Sequence, residues 1–503
     1  MPNRTRSFIS GLGFGYLAIF VNIGYTAASI PLALHYLGKE QFGLWALAQQ
    51  ITGYLILLDF GVSSAVSRFI ANHKDDVNGG DYGRLLLTGA IVFAVQGSFI
   101  AVVGVVFSIF APSFFAIPAP LAGDFTNILM IITLVAGFSI FFRTLAVPLW
   151  SFHRMDFSYH IGSITLISGF VILWIGFHFG LGIYSLAVSG LPAALLCPLI
   201  TFFFCKKHGF YPSTKSGWQM PAFADIQRVF AFGKDAALMS LGSQMVNASQ
   251  IMIISRFSGL DAAATFSIGT KLYSLGQQLV ARIIGAAAPA LTELFVRGEI
   301  SRFSARFFDV VSISAFLATL IGSFLICGNS SGVSFWTSGM IAWSPWSDVM
   351  LGALLVATSF TRCLTELFVF RGNLKSVRYI FLMEGLLSVA LAIPAVINFG
   401  LPGLLFTCLF VHVAVVLGFS LKAANKALTQ TAPIIQQILK SFLILFFVFV
   451  ITALWATDYF KDIQAVFIVI FLTLISGAFG WFLMLQHSLR AEIRNKLIFF
   501  YKQ

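Results

Sequence analysis

Charge is scarce in this sequence. Only 10% of its 503 residues are Asp, Glu, Lys or Arg, against 58% hydrophobic ones, and mean hydropathy is +0.91. A soluble globular chain carries about a quarter charged residues, so a water-borne fold is excluded. No GxxxxGK(S/T) stretch is present, which removes a P-loop for ATP. No HExxH is present either. The five cysteines (Cys197, Cys205, Cys327, Cys363, Cys408) lack CxxC spacing, and we read them as small buried hydrophobes. The eight His are scattered, so no metal site is expected. Long polar segments are missing as well, leaving no room for an extramembrane catalytic domain. No catalytic residues and no cofactor are expected.

Long apolar runs take their place, from Gly11 to Gln486. About twenty apolar residues cross the hydrocarbon core. That length predicts about fourteen spans, near 9–36, 42–70, 84–111, 123–150, 157–179, 182–205, 228–256, 262–292, 309–328, 345–371, 378–399, 402–422, 438–457 and 463–486. Lipid offers the backbone no hydrogen-bond partner, so the spans are expected to be helices. The first run is too long for a signal-peptide core and is read as a span. The 56 Phe suit a lipid-facing wall.

A net charge of +12 would suggest nucleic acid in a soluble protein. Here the positive-inside rule accounts for it, and no nucleic-acid partner is expected. With the N-terminus inside, 23 basic residues fall on the inner side, 3 on the outer side (Lys39, Arg256, Lys461) and 5 within spans. Both termini are therefore expected to be cytoplasmic.

Spans 1–6 and 7–12 echo each other at an offset of about 220 residues. "YLGKEQFGLW" (36–45) meets "FSGLDAAATF" (257–266). "FFRTLAVPLWSF" (141–152) meets "FTRCLTELFVFR" (360–371), aligning Arg143 with Arg362. "FGLGIYSL" (179–186) meets "FGLPGLLF" (399–406). Six spans per half make the halves parallel, related by a pseudo-two-fold axis along the membrane normal, as in transporters that rock two lobes. The expected organisation is an all-α polytopic protein: a six-helix lobe over 1–206, a cytoplasmic linker over 207–227, a second six-helix lobe over 228–425, and two additional helices with a tail over 426–503.

Ionisable residues inside spans are costly and mark function or pairing. Asp59 lies roughly 16 Å from the inner end of span 2, and Lys271 about as far from the outer end of span 8. Arg143 and Arg362 lie about 10–12 Å above the inner ends of spans 4 and 10, and Arg282 is deep in span 8. Lys234 and Asp235 sit within two turns of the surface and are explained by snorkelling. Arg362 and Glu366 are four apart on one helical face, so a structural ion pair stands open beside any functional role. For Asp59, Arg143, Lys271 and Arg282 the alternatives are charges bracing two helices or a hydrated cavity between lobes. A cavity lined by cations would draw an anionic headgroup, above all a phosphate or pyrophosphate, which the arginine fork fits. Arg143, Lys271, Arg282 and Arg362 are the candidate substrate-binding residues. Asn22, Gln49, Gln50, Gln244, Asn247, Gln277 and Gln278 extend the polar set. Pro31, Pro148 and Pro289 are candidate helix kinks. Without a nucleotide site, an ion gradient is the expected power source. Asp59, Glu366 and Glu384 are candidates for carrying H+ or Na+.

The stretch "IPLALHYLGKEQFGLWALAQQITGYLILLDFGVSSAVSRFIA" (30–71) resembles the opening of bacterial polysaccharide-biosynthesis membrane proteins, the O-antigen flippases of the multidrug/oligosaccharidyl-lipid/polysaccharide exporter superfamily. "YLGKEQFGLW", "LLDFG" and a small-residue run ending at Arg68 carry the likeness. The resemblance implies a bacterial inner-membrane flippase moving undecaprenyl-pyrophosphate-linked O-antigen or related repeats by alternating access. It implies membrane lipids and other polysaccharide-assembly proteins as partners. The four cations above come from depth and charge, and no family motif assigns them. Fourteen spans is also the plan of the lipid II flippase, so a lipid II exporter and a multidrug exporter of the same superfamily are the alternatives. Span 1 lacks the basic set expected of a lipid II flippase, which favours a polysaccharide repeat.

Overall fold

The computed structural model describes residues 2–56, 62–152, 154–370, 374–427, 432–455, 463–487 and 489–491. Asp59 lies outside them, and so do the side chains of Lys234, Asp235 and Pro289. Among the described residues all regular structure is helical, and the chain is a polytopic membrane protein. The helices are α1 (Pro2–Ile56), α2 (Val62–Ala71), α3 (Asp81–Phe114), α4 (Ala119–Phe141), α5 (Val147–Ser151), α6 (Met155–His178), α7 (Tyr184–Val188), α8 (Leu191–Lys207), α9 (Phe223–Asn247) and α10 (Ser249–Ser258). They continue as α11 (Leu260–Gly269), α12 (Lys271–Val296), α13 (Ile300–Trp336), α14 (Pro345–Phe370), α15 (Leu374–Val411), α16 (Gly418–Ala427), α17 (Ala432–Trp455) and α18 (Ile463–Met484).

Among the described residues, ten helical segments are long and apolar enough to cross a membrane. Two of them hold two expected spans each. A straight α1 would be about 82 Å long, far more than a bilayer, and it breaks at Gly38 (φ 72°, ψ −175°). The other, over 377–422, breaks at Gly400 (φ 60°, ψ −144°). Only glycine adopts such angles without strain. The repeat appears here as geometry: Gly38 and Gly259 have positive φ about 220 residues apart, and so do Gly180 and Gly400.

The chain forms two compact units, Met1–Ala264 and Thr265–Gln503. In the first, one apolar core gathers Leu44, Leu47 and Ile51 of α1 with Phe125, Ile128 and Leu129 of α4. A second joins Val62, Val66 and Ile70 of α2 to Phe93 of α3 and Val229 of α9. The polar join expected as a linker is fastened down within this unit. Tyr82 donates to the Phe210 carbonyl at 2.8 Å, and Tyr211 to that of Leu145 at 3.0 Å. Burial pushes the Tyr211 phenol up, so it stays a donor. Asn78 Oδ1 accepts from the Ser213 backbone at 2.9 Å, and Arg84 pairs with the buried Asp225 at 3.2 Å. The unit therefore runs past 207–227, through α9 and α10.

In the second unit the core runs through Phe303, Phe307 and Val311 of α13 and Phe360 of α14. It continues into Val448 of α17 and Val469 of α18, so the two additional helices pack on α13. Gln437 ties them further, donating to the Met484 carbonyl at 2.7 Å and to Ser312 at 3.2 Å. Their outer faces carry Phe446, Phe447, Phe471, Phe479 and Phe482, all exposed, as a lipid-facing wall requires.

Small residues set the closest helix contacts, as expected where lipid supplies no hydrophobic drive. Gly97 of α3 meets Gly137 of α4, and Gly322 of α13 meets Gly352 of α14, on the corresponding helix pairs of the two repeats. A Cβ at Gly97 would lie 2.4 Å from the Gly137 carbonyl oxygen. The variant G97L is expected to cost about 1–3 kcal/mol by overpacking. Heating the purified protein before size exclusion would show this as earlier loss of the monodisperse peak.

Candidate functional site

Breaks inside spans position two of the four predicted cations. In span 4, α4 ends at Phe141, a 3₁₀ turn follows over Arg143–Ala146, and α5 restarts with Pro148 near its first turn. The predicted proline kink is present. It turns Arg143 out of the helix, where Nη1 donates to Ser63 Oγ of α2 at 2.9 Å. In span 8, α11 stops at Gly269 and α12 restarts at Lys271.

The second break has a visible cause. A Cβ on Gly269 would sit 2.1 Å from the Trp343 ring. Asn329 Nδ2 donates to the Gly269 carbonyl at 3.0 Å, supplying a side-chain partner at the break. The same amide donates to Asp348 Oδ1 at 2.6 Å, which also accepts from Trp343 Nε1 at 2.7 Å. Asp348 Oδ2 accepts from the Ser330 backbone at 2.9 Å. The variant G269A is expected to displace Trp343 and cost about 1–3 kcal/mol, read as a lower melting temperature. A GNSSG run at 328–332 has the spacing of a nucleophile elbow. That motif needs a strand-to-helix turn, whereas these residues lie inside α13.

Lys271 is half-buried, and among the described residues it has no hydrogen-bond or ion-pair partner. At 100° per residue, Lys271, Gln278 and Arg282 lie on one face of α12, and Gln278 and Arg282 are exposed. The neighbouring α14 is almost wholly packed. Between residues 347 and 368 Arg362 alone is exposed, and Thr358, Thr365 and Glu366 flank it half-buried at helical spacing. Gln277 Nε2 reaches Tyr273 Oη at 2.7 Å and Thr358 Oγ1 at 3.4 Å, bridging the two helices. The second unit thus carries Arg282 and Arg362 exposed on the adjacent helices α12 and α14, with Lys271 half-buried on the Arg282 face of α12.

The Arg362–Glu366 ion pair left open by the sequence is not formed; among the described residues no contact within 4.0 Å joins their charged atoms. Arg143 belongs to the first unit, the other three cations to the second. The first unit has its own polar ties. Tyr54 and Ser249 share a hydroxyl–hydroxyl bond, and Gln244 donates to the Gly53 carbonyl at 3.1 Å.

Of the coupling candidates, Glu366 is half-buried and Glu384 is buried. Glu384 has a partner that sequence reasoning missed, His412, at 2.6 Å. The available signal was a single histidine in the apolar run "LFVHVAVV". Asp348 was missed because it sits at the start of a span, where a carboxylate reads as an interfacial residue.

A family model described as polysaccharide biosynthesis protein matches residues 11–295, more than half of the chain. No curated protein matches. Solved transporters share the fold. An inward-facing multidrug-resistance MATE transporter of the MOP superfamily aligns at TM-score 0.68 and 13% identity, covering 80% of this chain and 94% of that one. The lipid II flippase MurJ in an inward closed conformation aligns at 0.66 and 16%, covering 94% and 99%. A MOP-superfamily transporter from Pyrococcus furiosus, described as having a binding pocket of reversed polarity, aligns at 0.65 and 13%, covering 84% and 95%. By the extent of the family match, this chain belongs to the polysaccharide biosynthesis protein family.

Proposed function

We propose that the protein flips an undecaprenyl-pyrophosphate-linked O-antigen or related repeat unit across the bacterial cytoplasmic membrane. Both termini are cytoplasmic, and the repeats 1–206 and 228–425 act as the moving lobes. The observation that carries this reading is the exposure of Arg282 and Arg362 on the adjacent helices α12 and α14. A charge at bilayer depth is too costly to leave in hydrocarbon. Arg362, exposed on an otherwise packed helix, therefore needs water or an anion beside it. Diphosphate supplies the planar oxygen pairs that guanidinium binds best, while the polyprenyl tail stays in lipid. Membership in a polysaccharide biosynthesis family supports a glycan cargo, and the likeness to a lipid II flippase supports a lipid-linked one. A cationic drug is the poorer cargo for these arginines, because like charges repel.

Depleting the protein in its native host tests the reading. Lipid-linked saccharide is expected to accumulate in the cytoplasmic leaflet while surface polysaccharide disappears. Unchanged surface polysaccharide, or loss of drug resistance instead, overturns it.

A further inference from the structure

Glu384 of α15 and His412, the first residue of a π-helical turn over His412–Leu417, are 3% and 8% exposed. Nδ1 of the ring meets Glu384 Oε1 at 2.6 Å, and Nε2 meets Thr361 Oγ1 of α14 at 2.9 Å. The threonine hydroxyl has one proton and three acceptors within reach, Nε2 and the carbonyls of Ala357 and Thr358. It can donate to Nε2 of a neutral ring. It can instead donate to the Thr358 carbonyl, 2.9 Å away, and accept from Nε2–H of a charged ring. Both charge states of His412 are therefore hydrogen-bonded in full, which a merely structural histidine does not need.

The two states differ in charge. With the ring protonated, carboxylate and imidazolium sum to zero. With it neutral, the carboxylate is left as a buried net charge of one, which low dielectric disfavours. Losing the proton thus favours opening this bundle to water, and gaining it favours closure. The π-turn at His412 supplies an irregularity of the kind found where helices serve function. The charged and titratable groups on the surrounding elements do not replace the pair. They are Arg378, Tyr379 and Cys408 on α15, Asp348, Arg362, Cys363 and Glu366 on α14, Lys271, Tyr273, Arg282 and Glu293 on α12 and Lys422 on α16. Tyr273 and Cys408 are neutral when protonated. Among the described residues Glu384 is the only acidic partner of His412.

We infer that the Glu384–His412 pair is the proton seat that couples transport to a pH gradient. It takes one proton from water on one side and returns it to water on the other. The coupling ion is H+ and not Na+: the ring already supplies the positive partner of Glu384 at Oε1, and among the described residues no second carboxylate joins the pair to build a cation site. This rests on the flippase reading for its meaning but not for its test.

Two measurements on the full chain separate the claims. The first uses no cargo. In nanodiscs, hydrogen exchange over residues 405–420, corrected for intrinsic rates, is expected to show a pH-linked transition. The transition is absent from E384Q and H412N, both of which keep a side-chain hydrogen-bonding group. The second uses liposomes and a fluorescent undecaprenyl-pyrophosphate-linked N-acetylglucosamine. For one proton per cycle, each unit of ΔpH shifts the inside–outside ratio of probe by up to about tenfold. A Na+ gradient has no effect, and both variants lose the ΔpH response. A wild-type exchange profile without the transition, or a transition that survives in E384Q, overturns the inference. So does a ratio that follows Na+. If the transition is present but the probe is never flipped, the proton seat stands and the cargo reading fails.

Discussion

The variant R362A is expected to abolish polysaccharide display while the protein remains in the membrane at wild-type level. Arg362 can be removed without breaking a fold contact, because it is exposed and has no ion pair with Glu366 among the described residues. What is lost is a charge-assisted hydrogen bond to cargo, worth about 1.5–3 kcal/mol, or roughly 10–100-fold in transport. R362K keeps the charge and loses the planar fork, so partial recovery is expected. R282A, on the neighbouring α12, is expected to act in the same direction and more weakly. E366Q is the control for the alternative view. If Arg362 served only to neutralise Glu366, E366Q would be the more damaging change and R362A would lower protein yield. Surface polysaccharide staining set against membrane protein abundance decides between the two. Full display in an R362A/R143A double variant would remove these arginines from the mechanism.

Hydropathy made the helices legible, and the sequence repeat pointed to the joints. Gly38, Gly180, Gly259 and Gly400 could be read because a positive φ calls for glycine whatever the surroundings. The Glu384–His412 pair was half legible. Glu384 stood out as a carboxylate inside a span, but its partner lies 28 residues away in sequence. A single histidine among valines reads as core until the fold brings it to the carboxylate. Arg362 and Glu366 show the opposite limit. Spacing of four permits an ion pair, yet the arginine precedes the acid, the weaker order on a helix, and the side chains stay apart. The polar segment 207–227 looked like a free linker because its anchors, Asn78, Tyr82 and Arg84, are side chains scarcely distinguishable from ordinary loop and interface residues.

The second large effect is expected at Asp348, which no charge pattern singled out. The side chain is fully buried and accepts from Asn329, Trp343 and the Ser330 backbone. D348A leaves three buried donors short of a partner at about 1–3 kcal/mol each; with partial relaxation the expected loss is about 3–5 kcal/mol. D348N keeps one acceptor oxygen but turns an NH2 group toward the other donors, so it is expected to fall between. W343F removes one donor, keeps a ring against Gly269, and should cost about 1 kcal/mol. The order D348A, D348N, W343F in falling severity is read from melting curves of the purified protein. The cluster also holds Asn329 on the Gly269 carbonyl, and so fixes where α12 begins and where Lys271 projects. Export by D348A is therefore expected to drop below wild type even at a low temperature where folded protein is matched. If matched protein exports normally, Asp348 braces the bundle and has no part in presenting Lys271 to the cargo.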